Sequence, residues 1–133
     1  MSRREDGEIE RFALVVMSEP GEDHPGGQGR MVHALTAAED FRKADLEARI
    51  FFHGIGVLWL PAFETRTDRF CTNYGALFDS VRDMVAGACH FCAATRFGAG
   101  DAAGRMGVPL LGEPGAHHSV GTLAAEGYHP IVF

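Results

Sequence analysis

Two cysteines three residues apart are the residues of this chain whose type and spacing best suit chemistry. Cys89 and Cys92 follow an Ala/Gly-rich apolar run that begins at Val85 and reads as a buried strand, and Arg96 lies four residues beyond Cys92. An open α/β sheet places its ligands and reactive groups at the carboxyl ends of its strands. We therefore predict a catalytic group made of Cys89, Cys92 and Arg96 at this strand end.

The reactivity of these thiols depends on the local charge. If Cys92 begins the helix that follows the strand, backbone N–H groups and the helix dipole favour a negatively charged sulfur there. Arg96 would lie one turn further along the same helix face and add positive charge beside either sulfur. This arrangement predicts a thiolate near neutral pH. The alternative is that both cysteines are small buried hydrophobic residues, a common use of free cysteine.

Most of the histidines fall in the loops expected at the same edge of the sheet. We take these as candidate binding residues, although each also suits a structural role. They are His24, His53, His90, His117 and His118. Together with the cysteines, the last three could complete a zinc site, but the second spaced pair of ligands that is typical of structural zinc is missing. We therefore predict no metal and no cofactor.

Length and composition are those of one domain in a reducing compartment. The chain has 133 residues, of which 46% are hydrophobic, enough for a core without disulfides. Three cysteines and a charged start without an apolar leader predict a cytoplasmic protein. A net charge of −6 without a basic stripe argues against a nucleic-acid partner, and the apolar runs are too short for a membrane.

The apolar pattern predicts strands that alternate with helices. Residues 1–8 are charged and are expected to form a disordered tail, which leaves a single domain over 9–133. Strands are expected at 12–17, 48–53, 85–88, 108–111 and 130–133, and helices at 29–43, 74–84 and 119–127. Pro109 restricts the fourth strand to a sheet edge. The alternation predicts a parallel five-stranded sheet that is covered on both faces.

Three segments are harder to assign. The residues 18–29 are rich in glycine and proline and are expected to form a loop. Leu58, Trp59 and Leu60 lie in an irregular apolar link, where they suit either an oligomer interface or the monomer core. No element is predicted for 64–71.

Several of these residues together resemble the DsrE/DsrF-like (YchN-like) family. The resemblance is carried by Cys89-x-x-Cys92-x-x-x-Arg96, the preceding Ala-Gly-Ala, Gly-Val-Pro-Leu-Leu-Gly at 107–112, His118-Ser119, and the ending 126–133. It spans about 12–133 and implies a three-layer α/β/α domain that assembles into homo-oligomers such as trimers or hexamers. In some members a cysteine carries persulfide sulfur in a relay between donor and acceptor proteins, and that cysteine would here be Cys89 or Cys92.

The function that we expect is therefore sulfur relay. One thiolate attacks the outer sulfur of a donor persulfide, holds it, and passes it to an acceptor thiolate, while the second cysteine could instead resolve the persulfide. The alternative is a non-catalytic oligomeric module that binds a small ligand or a protein in the crevice. A zinc site or a dithiol redox site is a further possibility.

Overall fold

The structure, a computed structural model, describes residues 9–133. Within this range a five-stranded parallel sheet lies between two helical layers. The strands are β1 (Arg11–Val16), β2 (Glu47–Phe52), β3 (Val85–Cys89), β4 (Leu110–Leu111) and β5 (Tyr128–Val132). The helices are α1 (Pro25–Lys43), α2 (Trp59–Thr65), α3 (Arg69–Val81), α4 (Gly100–Met106) and α5 (Val120–Ala125). The predicted three-layer α/β/α fold is confirmed, and the predicted tail 1–8 lies outside the described residues.

The strand order, β4-β3-β2-β1-β5, explains how the helices divide between the two faces. From β1 to β4 the chain moves in one direction across the sheet, so right-handed crossovers place α1 to α4 on one face. The chain then returns past β1 to form β5, which places α5 on the other face. The large core under α1 to α4 and the small cluster around Leu123 of α5 reflect this division. The loop between β4 and α5 must consequently pass over the carboxyl ends of β3 and β2.

Each strand agrees with its predicted range to within two residues at each end, whereas helices α1 and α3 begin earlier in the chain than predicted. Helix α1 begins at Pro25, inside the expected loop, because proline suits the first turn, where its missing N–H is not needed. A Cβ at Gly27 would lie 2.0 Å from the carbonyl oxygen of Glu19, so only glycine lets this turn pack on the preceding loop.

The apolar link after β2 is helical and not irregular. Residues Gly54–Leu58 form a 3₁₀ helix that continues into α2, and α3 begins at Arg69 after Asp68 caps it through the N–H of Cys71. Trp59 and Leu60 are fully buried in the main core, where the indole N–H donates to the Ser18 carbonyl at 2.9 Å. The structure therefore assigns these two residues to the core of the monomer, and they are not available as an interface.

The ends of the sheet agree with the proline pattern. Pro109 directly precedes the edge strand β4, and Pro130 lies in β5 at the opposite edge, where a missing N–H costs no ladder hydrogen bond. Ser119, the first residue of the predicted helix 119–127, caps α5 in a reciprocal capping box with Thr122. Within residues 9–133, no helix combines the length and apolar character that crossing a membrane requires.

Candidate functional site

The two thiols lie at the carboxyl end of β3, on either side of a tight turn. Cys89 is the last residue of the strand, and Cys92 is the second residue of a single π-helical turn, Phe91–Arg96. Such π-helical turns are rare and occur often at functional sites. Both cysteines are reduced and buried, with 0% of Cys89 and 2% of Cys92 exposed.

An imidazole from the β4–α5 loop covers both sulfurs. His117 Nδ1 lies 3.3 Å from the Cys92 sulfur and 3.9 Å from the Cys89 sulfur. The Phe91 ring meets the His117 ring edge to face, with the centroids 4.6 Å apart, and so limits the orientation of the imidazole. His117 itself is exposed, so it lies between the thiols and solvent.

Backbone N–H groups also point at the sulfurs. The N–H of His118 donates to the Cys89 sulfur at 3.3 Å. The backbone of Gly54, two residues beyond the end of β2, donates to the Cys92 sulfur and lowers its pKa. The Gly54 contact favours an anionic Cys92 sulfur over the neutral thiol.

Burial nevertheless decides the protonation of Cys92. Desolvation and the adjacent Cys89 thiol raise the pKa of Cys92 from 9.0 to about 11, while Gly54 and the charge of Arg96 act in the opposite direction. The prediction of a Cys92 thiolate near neutral pH is therefore wrong. Arg96 has the predicted sign of effect, but its exposed guanidinium lies over the Phe97 ring, 5.4 Å from the centroid, and is the weakest influence.

A pair of contacting imidazoles, His53 and His118, holds the β4–α5 loop in place. His53 Nε2 lies 3.1 Å from His118 Nδ1, and the two side chains are 3% and 8% exposed. Burial, and then the charges of His118 and His117, lower the pKa of His53 from 6.5 to about 4. At neutral pH His53 is therefore uncharged. The bond fixes the β4–α5 loop to the end of β2, so that His117 is held over the thiols.

A cavity of about 270 Å³ opens beside this group. Its lining residues follow β1, β2 and β3 or lie at the start of α5 and in the loop before it: Met17, His53, Gly54, Cys92, His117, His118, Ser119 and Val120. Cys92 contributes to this lining and Cys89 does not. Of the two thiols, Cys92 is thus the one that a small molecule in the cavity would meet.

The structure brings together three of the five predicted histidines with the cysteine pair. His53, His117 and His118 line the cavity, whereas His24 pairs with Glu19 at 3.2 Å and lines a neighbouring cavity. The side chain of His90 makes no hydrogen bond or ring contact with any residue in the range 9–133. The grouping of His24 and His90 with the thiols is therefore not supported.

Sequence reasoning missed four residues of the site. Gly54 supplies its backbone, and Met17, Ser119 and Val120 line the cavity. Only Gly54 carried a usable signal, because a glycine directly after a strand often has a positive φ, here 57°, that turns its amide toward the strand end. No family, characterised protein or solved structure matches this chain, so the DsrE-like resemblance stays a prediction.

Proposed function

We propose that the protein takes up a sulfane sulfur atom from a small persulfide and carries it on Cys92. The observation that carries this proposal is the position of Cys92, in the wall of the cavity and 3.3 Å from an imidazole nitrogen, with Cys89 behind it. The proposal keeps the sulfur chemistry expected from the sequence and gives the two cysteines different roles.

Sulfur uptake needs a base, because Cys92 is protonated at neutral pH. In the tautomer that carries its proton on Nε2, His117 accepts the Cys92 proton at Nδ1. The sulfur of Cys92 then attacks the outer sulfur of a donor R–S–SH. The donor S–S bond breaks, a new S–S bond forms on Cys92, and the thiolate R–S⁻ leaves and takes up a proton.

Cys89 determines the lifetime of the product. Its sulfur can attack the inner sulfur of the Cys92 persulfide, which forms a Cys89–Cys92 disulfide and releases HS⁻. Transfer of the outer sulfur to an external thiolate instead regenerates the free Cys92 thiol. The first outcome is reduction of the donor sulfur and the second is relay.

The burial of the thiols favours a small donor over a protein thiol. Cys92 is 2% exposed, and a partner protein would have to insert its own cysteine past His117 to reach it. A low-molecular-weight persulfide fits a cavity of about 270 Å³. Protein donors, protein acceptors and the homo-oligomers that the resemblance implies stay predictions.

Mass spectrometry of protein treated with glutathione persulfide tests the proposal. Tryptic cleavage after Arg82 and Arg96 releases the peptide 83–96, and fragmentation between its two cysteines locates an added sulfur atom. We expect a transient adduct on Cys92 in the wild type and a long-lived adduct in Cys89→Ser, because the resolving thiol is gone. Cys92→Ser is expected to take up little sulfur.

Cys71 provides the matched control. It is also buried, and burial together with Asp68 raises its pKa to about 12, but it lies at the start of α3 in the main core. Cys71→Ala should load as the wild type does. Uptake that persists in Cys92→Ser, or an adduct confined to Cys71, would contradict the role given to Cys92.

A further inference from the structure

Two sulfurs and one imidazole nitrogen, a donor set that suits a transition metal, converge at the thiol site. The sulfurs of Cys89 and Cys92 and Nδ1 of His117 all lie within 4.8 Å of one another. Sulfur and imidazole donors bind zinc well, whereas calcium and magnesium prefer oxygen. The donor set therefore points to zinc or a similar transition metal and not to calcium or magnesium.

The two nitrogen–sulfur separations are close to the value expected around a tetrahedral zinc ion. With Zn–S of about 2.3 Å and Zn–N of about 2.05 Å, a tetrahedral angle places sulfur and nitrogen about 3.6 Å apart. The distances from His117 Nδ1 to the two sulfurs are 3.3 and 3.9 Å, on either side of that value. The two sulfurs, which lie within 4.8 Å of each other, would have to be about 3.8 Å apart for the three donors to share one tetrahedral zinc ion.

The surroundings of the sulfurs suit metal-bound thiolates. The N–H of His118 donates to Cys89, and the backbone of Gly54 donates to Cys92, so each sulfur has an amide that stabilises negative charge. Outer contacts of this kind orient metal ligands and support their affinity. The His53–His118 bond in turn holds the loop that carries both His117 and the His118 amide.

We propose that Cys89, Cys92 and His117 bind one zinc ion, with its fourth coordination position open to the cavity. Binding replaces the two thiol protons, which are released to solvent, and forms two Zn–S bonds and one Zn–N bond. The second spaced ligand pair that the sequence lacks is needed only by a closed structural site. An open site takes three protein ligands and an exchangeable water or small anion.

Zinc would use the same sulfur lone pairs that attack a persulfide. A zinc-loaded protein is therefore expected to resist sulfur uptake at Cys92, so the metal and the sulfane sulfur are alternative occupants of the site. This consequence rests on the proposed function, but zinc binding itself does not.

Equilibrium titration of the untagged, reduced full chain with Zn²⁺ against a chromophoric chelator tests the site. We expect one zinc per chain. Co²⁺ is expected to give a thiolate-to-metal charge-transfer band and the intense visible absorption of a tetrahedral complex. Each of Cys89→Ser, Cys92→Ser and His117→Ala should weaken zinc binding by more than the roughly 10–100-fold that loss of an outer-shell partner causes.

His117→Ala is the decisive variant, because His117 is exposed and its removal leaves the core intact. His90→Ala and Cys71→Ala are the matched controls, since one is a neighbouring histidine and the other a buried cysteine outside the site, and both should bind zinc as the wild type does. No stoichiometric zinc in the wild type, or an unchanged affinity in His117→Ala, would overturn the proposal.

Cys89→Ser separates this proposal from sulfur uptake. It is expected to lose zinc but to keep a stable sulfur adduct on Cys92. Loss of zinc with a retained adduct supports both proposals, whereas an adduct without wild-type zinc binding refutes only the metal site. Zinc binding without any adduct refutes only sulfur uptake.

Discussion

The strongest quantitative prediction concerns the pH dependence of Cys92 alkylation. In the zinc-free protein the pKa of Cys92 is about 11, against 9.0 for an unperturbed thiol. A pKa higher by about two units makes the thiolate form about 100-fold scarcer at pH 7. The intrinsic nucleophilicity of a more basic thiolate recovers roughly tenfold of this, given a Brønsted slope of about 0.4–0.5. Iodoacetamide should therefore alkylate Cys92 about tenfold more slowly than a small free thiol, before any steric effect of burial.

The assay is a time course of alkylation between pH 6 and 11 in the presence of a chelator, with the 83–96 peptide quantified by mass spectrometry. The rate should rise close to tenfold for each pH unit above neutrality and should level off near pH 11.

Arg96→Gln, in which trypsin releases the peptide 83–105 because the cleavage site at position 96 is lost, distinguishes an effect of burial on Cys92 from an effect of the Arg96 charge. The Arg96 guanidinium is exposed and has the smallest influence on Cys92, so we expect the rate to change by less than about threefold at physiological salt. An inflection below pH 8, or a Cys92 that reacts at pH 7 as fast as a small thiol, would show that positive charge and the turn geometry outweigh burial.

Two further predictions concern the stability of the scaffold around the site. The folded-state pKa of His53 is lowered from 6.5 to about 4, so on acidification the unfolded chain binds this proton before the folded chain does. The contribution of neutral His53 to the unfolding free energy is therefore complete above pH 6.5 and is lost as the pH falls to 4, by up to about 3 kcal/mol. The unfolding free energy of the metal-free wild type relative to His53→Gln, from urea titrations, should decrease over that range, and a constant difference would contradict a neutral buried His53. Gly56→Ala should destabilise the fold by about 1–3 kcal/mol or more, because its Cβ would lie 2.1 Å from the Val16 carbonyl oxygen. Gly104→Ala, with open space around the new methyl group, should be neutral or slightly stabilising, and equal effects of the two substitutions in thermal unfolding would refute the close-approach argument.

The alternating apolar runs were sufficient to predict the fold class. A strand buried on both faces is a short continuous apolar run, and a helix packed on a sheet repeats at three and four residues, so the two are separable by period. The helical segments around Pro25 and Trp59 escaped this reasoning. Glycine and proline favour a loop locally, yet close packing on Glu19 stabilises a helix at Pro25, and full burial removes the periodic pattern at Trp59.

The sequence alone determined that Cys89 and Cys92 lie at the carboxyl end of a buried strand, because the apolar run and the C-x-x-C are adjacent in the chain. It could not determine the partners of the sulfurs, since His117 lies 25 residues beyond Cys92 and reaches it only because the β4–α5 loop crosses the sheet. Nor could it determine protonation, because desolvation depends on everything packed around the thiol, and burial raises the pKa of Cys92 despite Arg96. The order of residues defined the reactive groups, and tertiary packing decided which atoms meet and in what charge state.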